Sequence, residues 1–512
     1  MAILQSRGWG YGAKQQLSLF YLEQAGYMTW IRKIKMSDII GRLELNEGVI
    51  GMHLNRVKNK TISLDNLRMN FQEIEPDLTP KEAVEESNRC LYCYDAPCIK
   101  ACPTGINIPS FIKKIASGNL KGSARVIMEA NPVGASCARV CPTEELCEGA
   151  CVLNHASLPI MIGNLQRHAT NWAIHNNEQL FKAGEKNGKR VAVIGGGPAG
   201  LSAARELARL GYEVTIFEAK EKAGGLDTYG IVSFRLPQEI SLWEVEQIEK
   251  LGVNIQTNTK VGKDIQVREL IENFDAVILA AGMSKVPMLG IDGEEAEGVF
   301  DAIEFVEGTK TPPLDQQFIG KKIVVIGAGN TAIDAATCSV RLGAENVKMV
   351  YRRTEKEMTA YEFEYEFAKQ DGVEFRWLTQ PKRIIADKSG KVEALECVRM
   401  ELGEPDASGR RRPVPVAGSE FIIEADAIVK AIGQTRYLSL IEELGLEHNN
   451  GIVKINTKTH QTSNPKVYAA GDVIFGDGQG EAMVVTAAQQ GKLTAHAIHQ
   501  QFTADKVTLE SV

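Results

Sequence analysis

A pattern of strand, glycine-rich turn, helix and strand occurs twice and constrains the fold of this chain more than any other feature. The first copy begins with the buried-strand run RVAVI at Arg190–Ile194 and continues into the turn GGGPAG, where Gly195, Gly197 and Gly200 give the spacing G-x-G-x-x-G. A helical pattern and the strand EVTIFE follow, ending in Glu218. This is a complete dinucleotide-binding fingerprint: the glycines let the backbone approach a pyrophosphate at a helix N-terminus, and the acid accepts hydrogen bonds from ribose hydroxyls.

The second copy combines the strand KIVVI with the turn GAGNTA, in which Gly327, Gly329 and Ala332 give the spacing G-x-G-x-x-A. Its second strand ends in Arg352 and Arg353 instead of an acid. Arginine attracts the 2′-phosphate of NADP, whereas a carboxylate at that point repels it. The pattern therefore favours NADPH over NADH, and the alternative is a solvated basic strand end.

Three further runs end in small residues, where a chain passes close to a nucleotide. They are DAVILAAG at 275–282, DAIVKAIG at 426–433 and VYAAGD at 467–472. Asp472, at the end of the last run, is a candidate acceptor for a flavin ribityl hydroxyl. Two nucleotide modules, the second nested in the first, are typical of a flavin enzyme that takes hydride from a nicotinamide. We expect an α/β fold with two nested Rossmann-like domains after an N-terminal helical domain.

Upstream of both copies, eight of the ten cysteines fall within sixty-two residues. They form C-x2-C-x4-C-x3-C-P at Cys90, Cys93, Cys98 and Cys102, and C-x3-C-x5-C-x3-C at Cys137, Cys141, Cys147 and Cys151. Disulfides are typical of small secreted domains, and zinc sites usually pair two C-x2-C hooks, of which this chain has one. The spacing favours two [4Fe–4S] clusters, in which the last cysteine of one quartet can ligate the other cluster.

Composition excludes several other classes of protein. The chain has 512 residues and a net charge of −7 without a block of like charges, so we expect several domains and no nucleic-acid partner. No apolar run approaches the length of a membrane-spanning helix, and the many free thiols indicate a reducing cytoplasm. The aromatic-rich first thirty-five residues lack the features of a signal peptide, and we interpret them as a frayed terminus or an upstream extension of the reading frame.

Local signals predict the helices around the cysteines. Thr79 followed by Pro80 indicates a helix N-terminus just before Cys90, and glycines divide the helical pattern of 108–130 into two short helices. The predicted domains are an N-terminal extension (1–61), a helical cluster domain (62–185), a FAD domain (186–285 and 430–512) and an NAD(P) domain (286–429).

This order of modules resembles the glutamate synthase small subunit-like family, which includes the flavin–iron–sulfur subunit of bacterial dihydropyrimidine dehydrogenase. The resemblance covers about residues 62–500. Two segments are similar to the dihydropyrimidine dehydrogenase branch: GGLDTYGIVSFRLP at 224–237, with Val232 in place of a usual proline, and IMIGNLQ, which ends at Gln166.

The resemblance implies a ligand set that differs from cysteine counting, which alone would include Cys137. It assigns Cys90, Cys93, Cys98 and Cys151 to one cluster, and Cys102, Cys141, Cys147 and Gln166 to the other. Cys137 is then a spare thiol near the clusters. Cys338 and Cys397 are interpreted as buried core thiols of the nucleotide domains.

The resemblance also implies the nucleotide contacts. For FAD they are Val140, Gly195, Gly197, Pro198, Ala199, Glu218, Leu226, Arg235, Val261, Gly471 and Asp472. For NADP they are Ala328, Gly329, Asn330, Thr331, Arg352, Arg353, Ala431, Ile432 and Gly433. Thr359 occupies the position of another arginine that often contacts the 2′-phosphate in the family, which keeps NADH possible.

The function implied is transfer of electrons from NAD(P)H through FAD and two [4Fe–4S] clusters to a partner subunit, with no conventional catalytic side chain. The expected partner is an FMN-containing catalytic subunit of dihydropyrimidine dehydrogenase type, which reduces uracil or thymine. The first alternative is a glutamate synthase large subunit. An alternative of a different class is a non-enzymatic protein that binds zinc and a nucleotide for interaction.

Overall fold

Each copy of the fingerprint forms its own parallel β-sheet, and an all-helical segment precedes both. The structure, a computed structural model, describes residues 64–510 except 284, 311–313, 315–316, 406–410 and 477–481, without the side chains of 505–510. All of these residues belong to one compact unit, Val57–Val512. The predicted extension, residues 1–61, lies outside the described residues. The predicted α/β class with an N-terminal helical domain is confirmed.

The helical segment comes first in the chain. Its helices are α1 (Leu64–Asn70), α2 (Pro80–Ser87), α3 (Pro97–Ala101), α4 (Ile108–Ala116), α5 (Leu120–Ala130), α6 (Gly134–Val140) and α7 (Ile162–His175). Thr79 and Glu82 form a capping box at the start of α2, with Pro80 in the first turn, as the sequence predicts. The two short helices predicted between the quartets are α4 and α5.

The first nucleotide module, here called the flavin module, begins after a polar linker. Its first part contains β1 (Arg190–Ile194), α8 (Pro198–Arg209), β2 (Glu213–Phe217), α9 (Leu226–Tyr229), α10 (Gln238–Glu249), β3 (Asn254–Gln256), α11 (Val267–Asn273) and β4 (Ala276–Leu279). Strand β1 is buried at four of its five residues and lies between β2 and β4, both parallel to it. The fingerprint turn therefore leaves the middle of this sheet.

The second module, the nicotinamide module, is inserted after β4. Its elements are β5 (Val299–Asp301), α12 (Ala302–Lys310), β6 (Lys322–Ile326), α13 (Asn330–Arg341), β7 (Asn346–Val350), α14 (Glu362–Gln370), β8 (Glu374–Arg376), β9 (Thr379–Ala386), β10 (Val392–Pro405), β11 (Arg411–Pro415), β12 (Phe421–Glu424) and β13 (Ala427–Lys430). Its parallel sheet has the order β5-β13-β6-β7-β8, and β9 to β12 pair antiparallel beside it.

The chain then returns to the flavin module. The closing elements are α15 (Leu438–Glu443), β14 (His448–Asn449), β15 (Ile452–Val453), β16 (Val467–Ala469) and α16 (Val484–Glu510). Strand β16 pairs parallel with β4 and completes the order β16-β4-β1-β2-β3. The closing helix, predicted from about Ala482, begins at Val484. None of the helices in the described ranges has the length and apolar character that crossing a membrane requires.

Residues 70–78, here called the strap, connect all three parts of the fold. Asn70 Nδ2 donates to the Arg341 carbonyl at 2.9 Å, and Arg341 Nη1 donates to the Asn70 carbonyl at 2.9 Å, which ties the strap to the nicotinamide module. The Phe71 ring packs on Phe234 of the flavin module, with 6.0 Å between centroids. Glu73 pairs with Arg139 of the helical segment. No short sequence motif predicts this connection.

Gly200 shows why the fingerprint needs a glycine at its third position. A β-carbon at Gly200 would lie 2.0 Å from the carbonyl oxygen of Gly195, a backbone atom that cannot move aside. The missing side chain lets α8 pack directly on the turn after β1. The exposed Gly308 in α12 differs, because a β-carbon there meets nothing within 4 Å.

We expect Gly200→Ala to lower the free energy of unfolding by about 1–3 kcal/mol, as overpacking of a rigid contact does. The matched variant Gly308→Ala should raise it by about 0.4–1 kcal/mol, because alanine favours the helix and restricts the unfolded chain. Circular dichroism melting of both variants beside the parent measures the two effects. Equal melting temperatures in the two variants would contradict this account of the turn.

Candidate functional site

Four cysteines of the helical segment line one cavity. Cys90, Cys93, Cys98 and Cys151 line it together with apolar side chains such as Ile108. Burial, with the added charges of the nearby Cys90 and Cys151, raises the pKa of the Cys98 thiol to about 11. The loop after α2 supplies Cys90 and Cys93, the first turn of α3 supplies Cys98, and Cys151 joins them from the second quartet. This grouping is the one that the family resemblance implies for the first cluster.

The second set of cysteines is also brought together. Burial raises the pKa of the Cys147 thiol, and the neighbouring Glu148, Cys141 and Cys102 raise it further. Clustered thiolates repel one another unless a cation or cluster neutralises them. Among the described residues, no three side chains of metal-binding type converge as on a single ion; in a [4Fe–4S] cube each ligand binds a different iron, so the ligands stand apart.

Both candidates for the eighth cluster ligand contact or belong to α6, the helix that ends just before Cys141. The Cys137 thiol, on the same helix, is buried, and burial raises its pKa, as does a hydrogen bond with Cys141. Gln166, on α7, donates from Nε2 to the Gly134 carbonyl at 2.8 Å. That bond fixes which end of the amide is the nitrogen, so Oε1 is the atom of Gln166 that can ligate iron. The positions of the two side chains alone do not choose between them.

Helix α6 joins the second cysteine set to the flavin module. Its first-turn amides at Ala135 and Ser136 donate to Glu244 Oε1 of α10, at 2.7 and 3.1 Å. Burial raises the pKa of Glu244 to about 7, although the hydrogen bonds from Ser136 and Ala135 oppose that shift. At the other end of α6, Val140, a predicted FAD contact, packs in the apolar cluster that contains Leu236.

The closing helix α16 lies against the same cysteines. Cys137 and Cys141 pack with Val485 near its start. Further along, Lys492 Nζ donates to the carbonyls of Thr104 and Ala130 at 3.1 and 2.8 Å. The second set therefore contacts the flavin module on two sides, whereas the cavity of the first set is bordered by exposed residues such as Leu91 and Val152.

The glycines of the flavin fingerprint turn, together with Gly225, form a surface without side chains, here called the flavin cradle. A β-carbon at Gly225 would lie 2.8 Å from the Cα of Gly197, and one at Gly195 would lie 2.5 Å from the carbonyl oxygen of Ala280. Pro198 and Ala199 follow as the first turn of α8. Glu218 Oε2 accepts from the Gly196 amide at 2.9 Å, so the acid lies against the turn.

The remaining predicted FAD residues surround this cradle. Gly471, with φ +79°, lies against Ala199: a β-carbon on it would be 3.0 Å from the Ala199 side chain. Asp472 follows it and is largely buried, and burial raises its pKa. Leu226 opens α9 directly after Gly225. Val261 is buried near the Thr259 amide, which donates to the Glu218 carbonyl at 2.8 Å.

The second fingerprint repeats the same construction. A β-carbon at Gly327 would lie 2.2 Å from the carbonyl oxygen of Ala431, so the ends of β6 and β13 meet at the turn. Asn330 begins α13, and its Oδ1 accepts from the Tyr361 amide at 3.2 Å. The other predicted NADP residues of this region follow the ends of β6 and β13; they are Ala328, Gly329, Thr331, Ile432 and Gly433.

Arg352 and Arg353 follow β7, next to this turn. Arg352 is exposed, and Arg353 Nε donates to the Arg411 carbonyl at 3.2 Å. Thr359 also lies at the site, because its amide donates to the Ala328 carbonyl at 3.2 Å. An exposed arginine and a hydroxyl beside the glycine turn can both reach a phosphate placed there.

Arg235, a predicted FAD contact, makes ion pairs that the sequence did not predict. Its Nη1 lies 3.2 Å from Asp334 Oδ1 and 2.7 Å from Glu364 Oε1, and both acids belong to the nicotinamide module. Burial raises the pKa of Glu364 to about 7. The Arg235 side chain thus holds the two modules together. Its backbone takes no part in these ion pairs.

A buried acid and base behind the flavin cradle also escaped the sequence analysis. Asp227 is 2% exposed, and burial followed by the charge of Glu244 raises its pKa. Lys310 Nζ donates to the carbonyls of Asp227 and Leu236 at 3.0 and 3.1 Å, and burial lowers its pKa to about 8. Their partners are more than seventy residues away in the chain, which is why local patterns could not reveal them. Cys338 and Cys397 are buried, as predicted.

These features fit the groups that the sequence implies. The glycine cradles leave room for two dinucleotides, and the two cysteine sets present soft sulfur donors of the kind that hold iron–sulfur clusters. Helix α6 carries a predicted FAD contact at its last residue and a predicted cluster ligand at the next. The chain can therefore hold a nicotinamide, a flavin and iron–sulfur centres in one connected unit.

Comparison with family models gives two matches. The pyridine nucleotide-disulphide oxidoreductase model matches residues 155–272 and 189–491. The model for dihydropyrimidine dehydrogenase domain II, 4Fe-4S cluster, matches residues 67–178. Both nucleotide modules fall within the first match and both cysteine sets within the second.

Several curated proteins are similar over most of this chain. The glutamate synthase [NADPH] small chain of Escherichia coli is 36% identical over 84% of this chain and 94% of its own length. The NAD-dependent dihydropyrimidine dehydrogenase subunit PreT of Salmonella typhimurium is 36% identical over 84% and 96%. The NADP(+)-dependent formate dehydrogenase subunit beta of Moorella thermoacetica is 38% identical over 79% of this chain, which spans 60% of that protein.

A solved structure agrees on the fold of the nucleotide modules. FprA of Mycobacterium tuberculosis in complex with NADPH superposes with a TM-score of 0.53 at 23% identity, over 63% of this chain and 86% of FprA. The cofactors are FAD, NAD(P) and 4Fe–4S centres. The chain is thus an NAD(P)H-dependent flavin and iron–sulfur oxidoreductase, and it belongs to the glutamate synthase small subunit-like family of pyridine nucleotide-disulphide oxidoreductases.

Proposed function

We propose that this protein is an electron-transfer subunit that oxidises NADPH and delivers electrons to a partner dihydropyrimidine dehydrogenase subunit carrying FMN. The observation that carries the proposal is the position of α6, which links the flavin module to the second cysteine set through Glu244 and Val140. When bound, FAD would accept a hydride, which carries an electron pair, from the nicotinamide and would release those electrons singly to the clusters. We place the protein in the cytoplasm, since its ten cysteines are free of disulfides.

The residues of the chain have distinct tasks in this proposal. The two glycine turns and Glu218 hold and orient the dinucleotides, and Arg235 keeps the nicotinamide module against the flavin module. The second cysteine set is half-buried, and its Cys141 packs against α16 of the flavin module. The first set lies toward exposed residues such as Leu91. A carrier between a nucleotide site and an external acceptor needs one centre beside the flavin module and another near the surface.

Two segments favour the pyrimidine partner. GGLDTYGIVSFRLP, at 224–237, and the segment that ends at Gln166 are similar to the dihydropyrimidine dehydrogenase branch. Gln166 is buried beside the first turn of α6, where a cluster ligand is needed. The glutamate synthase partner stays a second candidate, because a glutamate synthase small chain matches this chain over 84% of its length at 36% identity.

We expect the purified chain, mixed with an FMN-containing pyrimidine dehydrogenase subunit from the same organism, to oxidise NAD(P)H when uracil is added. Absorbance at the nicotinamide band measures the rate. Glutamine plus 2-oxoglutarate with a glutamate synthase large subunit is the parallel reaction, and turnover there alone would refute the pyrimidine partner. An artificial electron acceptor serves as control, since its reduction requires only this chain; failure of that control refutes the electron-transfer role itself.

The proposed cluster ligands predict a specific effect of Gln166→Cys. The parent should contain two clusters, about eight irons per chain. An amide is a neutral, weak ligand, so a thiolate in its place adds negative charge and should make one cluster harder to reduce. A redox titration monitored by electron paramagnetic resonance measures the shift. If Gln166→Cys changes nothing while Cys137→Ser loses a cluster, Cys137 is the ligand instead.

The proposed NADP contacts predict a change of coenzyme preference. Neutral residues at Arg352 and Arg353 should raise the KM for NADPH by on the order of tenfold or more, since each charge-assisted contact to the phosphate is lost. The KM for NADH should change little, because NADH lacks that phosphate. Steady-state assays with an artificial acceptor give both values, and Lys348→Gln on the preceding strand is a charge-matched control. Equal changes in KM for both coenzymes would show that these arginines are only a solvated strand end.

A further inference from the structure

Two nearly buried arginines lie next to the proposed ligands of the second cluster. Arg139 precedes Cys141 by two residues, and Arg167 follows Gln166 directly. Their side chains are only 2% and 7% exposed. Family resemblance assigned neither of them a role. Two guanidinium charges so close together and so well shielded repel each other strongly, so something must hold them in place.

Glu73 of the strap bridges the two guanidinium groups. Its Oε1 lies 2.7 Å from Arg139 Nε, and its Oε2 lies 3.0 Å from Arg167 Nη2. Each oxygen of one carboxylate therefore binds a different helix, Arg139 from α6 and Arg167 from α7. The Glu73 side chain is 20% exposed, so the bridge is largely protected from water.

Asp77 and Asn171 close the network. Asp77 Oδ1 lies 2.7 Å from Arg167 Nε and accepts from Asn171 Nδ2 at 2.8 Å. Asn171 Oδ1 in turn accepts from Arg139 Nη2 at 2.7 Å. The two positive charges are thus matched by two carboxylates, both supplied by the strap. Hydrogen bonds restrain Arg139, and two ion pairs restrain Arg167, so both guanidinium groups are held in place.

The network adjoins the atoms proposed to hold the cluster. Arg139 Nη1 donates to the Ala135 carbonyl at 3.2 Å, and Gln166 Nε2 donates to the adjacent Gly134 carbonyl at 2.8 Å. The guanidinium and the ligand amide therefore bind consecutive carbonyls of the first turn of α6. A charge at that position, away from bulk water, acts on a nearby cluster with little screening.

We propose that Glu73 is a positioning residue for the second cluster: it holds two guanidinium groups beside the ligand helices and offsets part of their positive charge. By spanning α6 and α7 it fixes the separation of the helices that carry Cys141 and Gln166. Its charge also lowers the reduction potential of that cluster relative to two unpaired arginines. This inference rests on the proposed function, since it takes Gln166 as a ligand.

The test is Glu73→Gln in the complete protein with its clusters and flavin. Glutamine keeps the shape and can still accept from one of the two arginines through its single amide oxygen, but it removes one negative charge. We expect the reduction potential of one cluster to shift upward. This should be the cluster whose signal Gln166→Cys also changes, while the other cluster keeps its potential. The control is Glu75→Gln at an exposed position of the same strap, which should shift neither cluster. Unchanged potentials in Glu73→Gln overturn the inference.

Two further variants distinguish the effect of the negative charge of Glu73 from its role in spacing α6 and α7. Glu73→Asp restores the charge on a shorter side chain, so its potential should return toward that of the parent. Asp77→Asn removes the second carboxylate at the half-exposed edge and should shift the same cluster upward by a smaller amount. If Glu73→Gln loses iron while Asp77→Asn keeps both potentials unchanged, Glu73 only spaces the helices, and the claim that its charge sets the potential is overturned.

The same samples distinguish this inference from the proposed function. A parent protein that lacks two clusters, or that cannot reduce an artificial acceptor with NAD(P)H, refutes the proposed function. A parent with two clusters and normal reduction of that acceptor, combined with a Glu73→Gln variant of unchanged potentials, refutes only the role of Glu73.

Discussion

The first turn of α6 is the contact on which the arrangement of the redox parts depends. Its amides at Ala135 and Ser136 donate to Glu244 of the flavin module, while the carbonyl of Gly134 accepts from Gln166 of the cluster domain. A helix of only seven residues has little stability of its own. Its position is therefore set by partners from two domains, and whatever moves one of them moves the predicted FAD contact and the cluster ligand at its far end together.

The two nucleotide modules use one construction with different partners. In each, a buried central strand leads into a turn whose glycine faces a backbone carbonyl from a neighbouring strand end, Ala280 in one case and Ala431 in the other. Such turns have no space for side chains at these positions, because two segments of protein backbone approach each other closely there. The two modules differ in the residues that follow the second strand of the fingerprint. These are Glu218 in the flavin module and Arg352 and Arg353 in the nicotinamide module. The predicted cofactors differ chemically at the same place.

Features formed by residues close together in the chain could be predicted from the sequence, whereas contacts between residues far apart in the chain could not. The capping box at Thr79 and the glycine turns depend on residues a few positions apart, so their patterns are readable directly. The bridge from Glu73 to Arg139 spans sixty-six residues. The buried Lys310 contacts a carbonyl eighty-three residues away. Charged side chains are usually solvated, and only the tertiary structure shows that these are enclosed.

Insertion of the nicotinamide module between β4 and β16 has a consequence for how the chain is made. During synthesis, domains fold from the N-terminal side as they emerge. The sheet of the nicotinamide module can be completed at β13, before β16 and Gly471 exist to close the flavin cradle against Ala199. Cys141 also lacks its cover from α16 until that point. The nascent chain thus presents its clustered thiols before the residues that enclose the flavin site have been made.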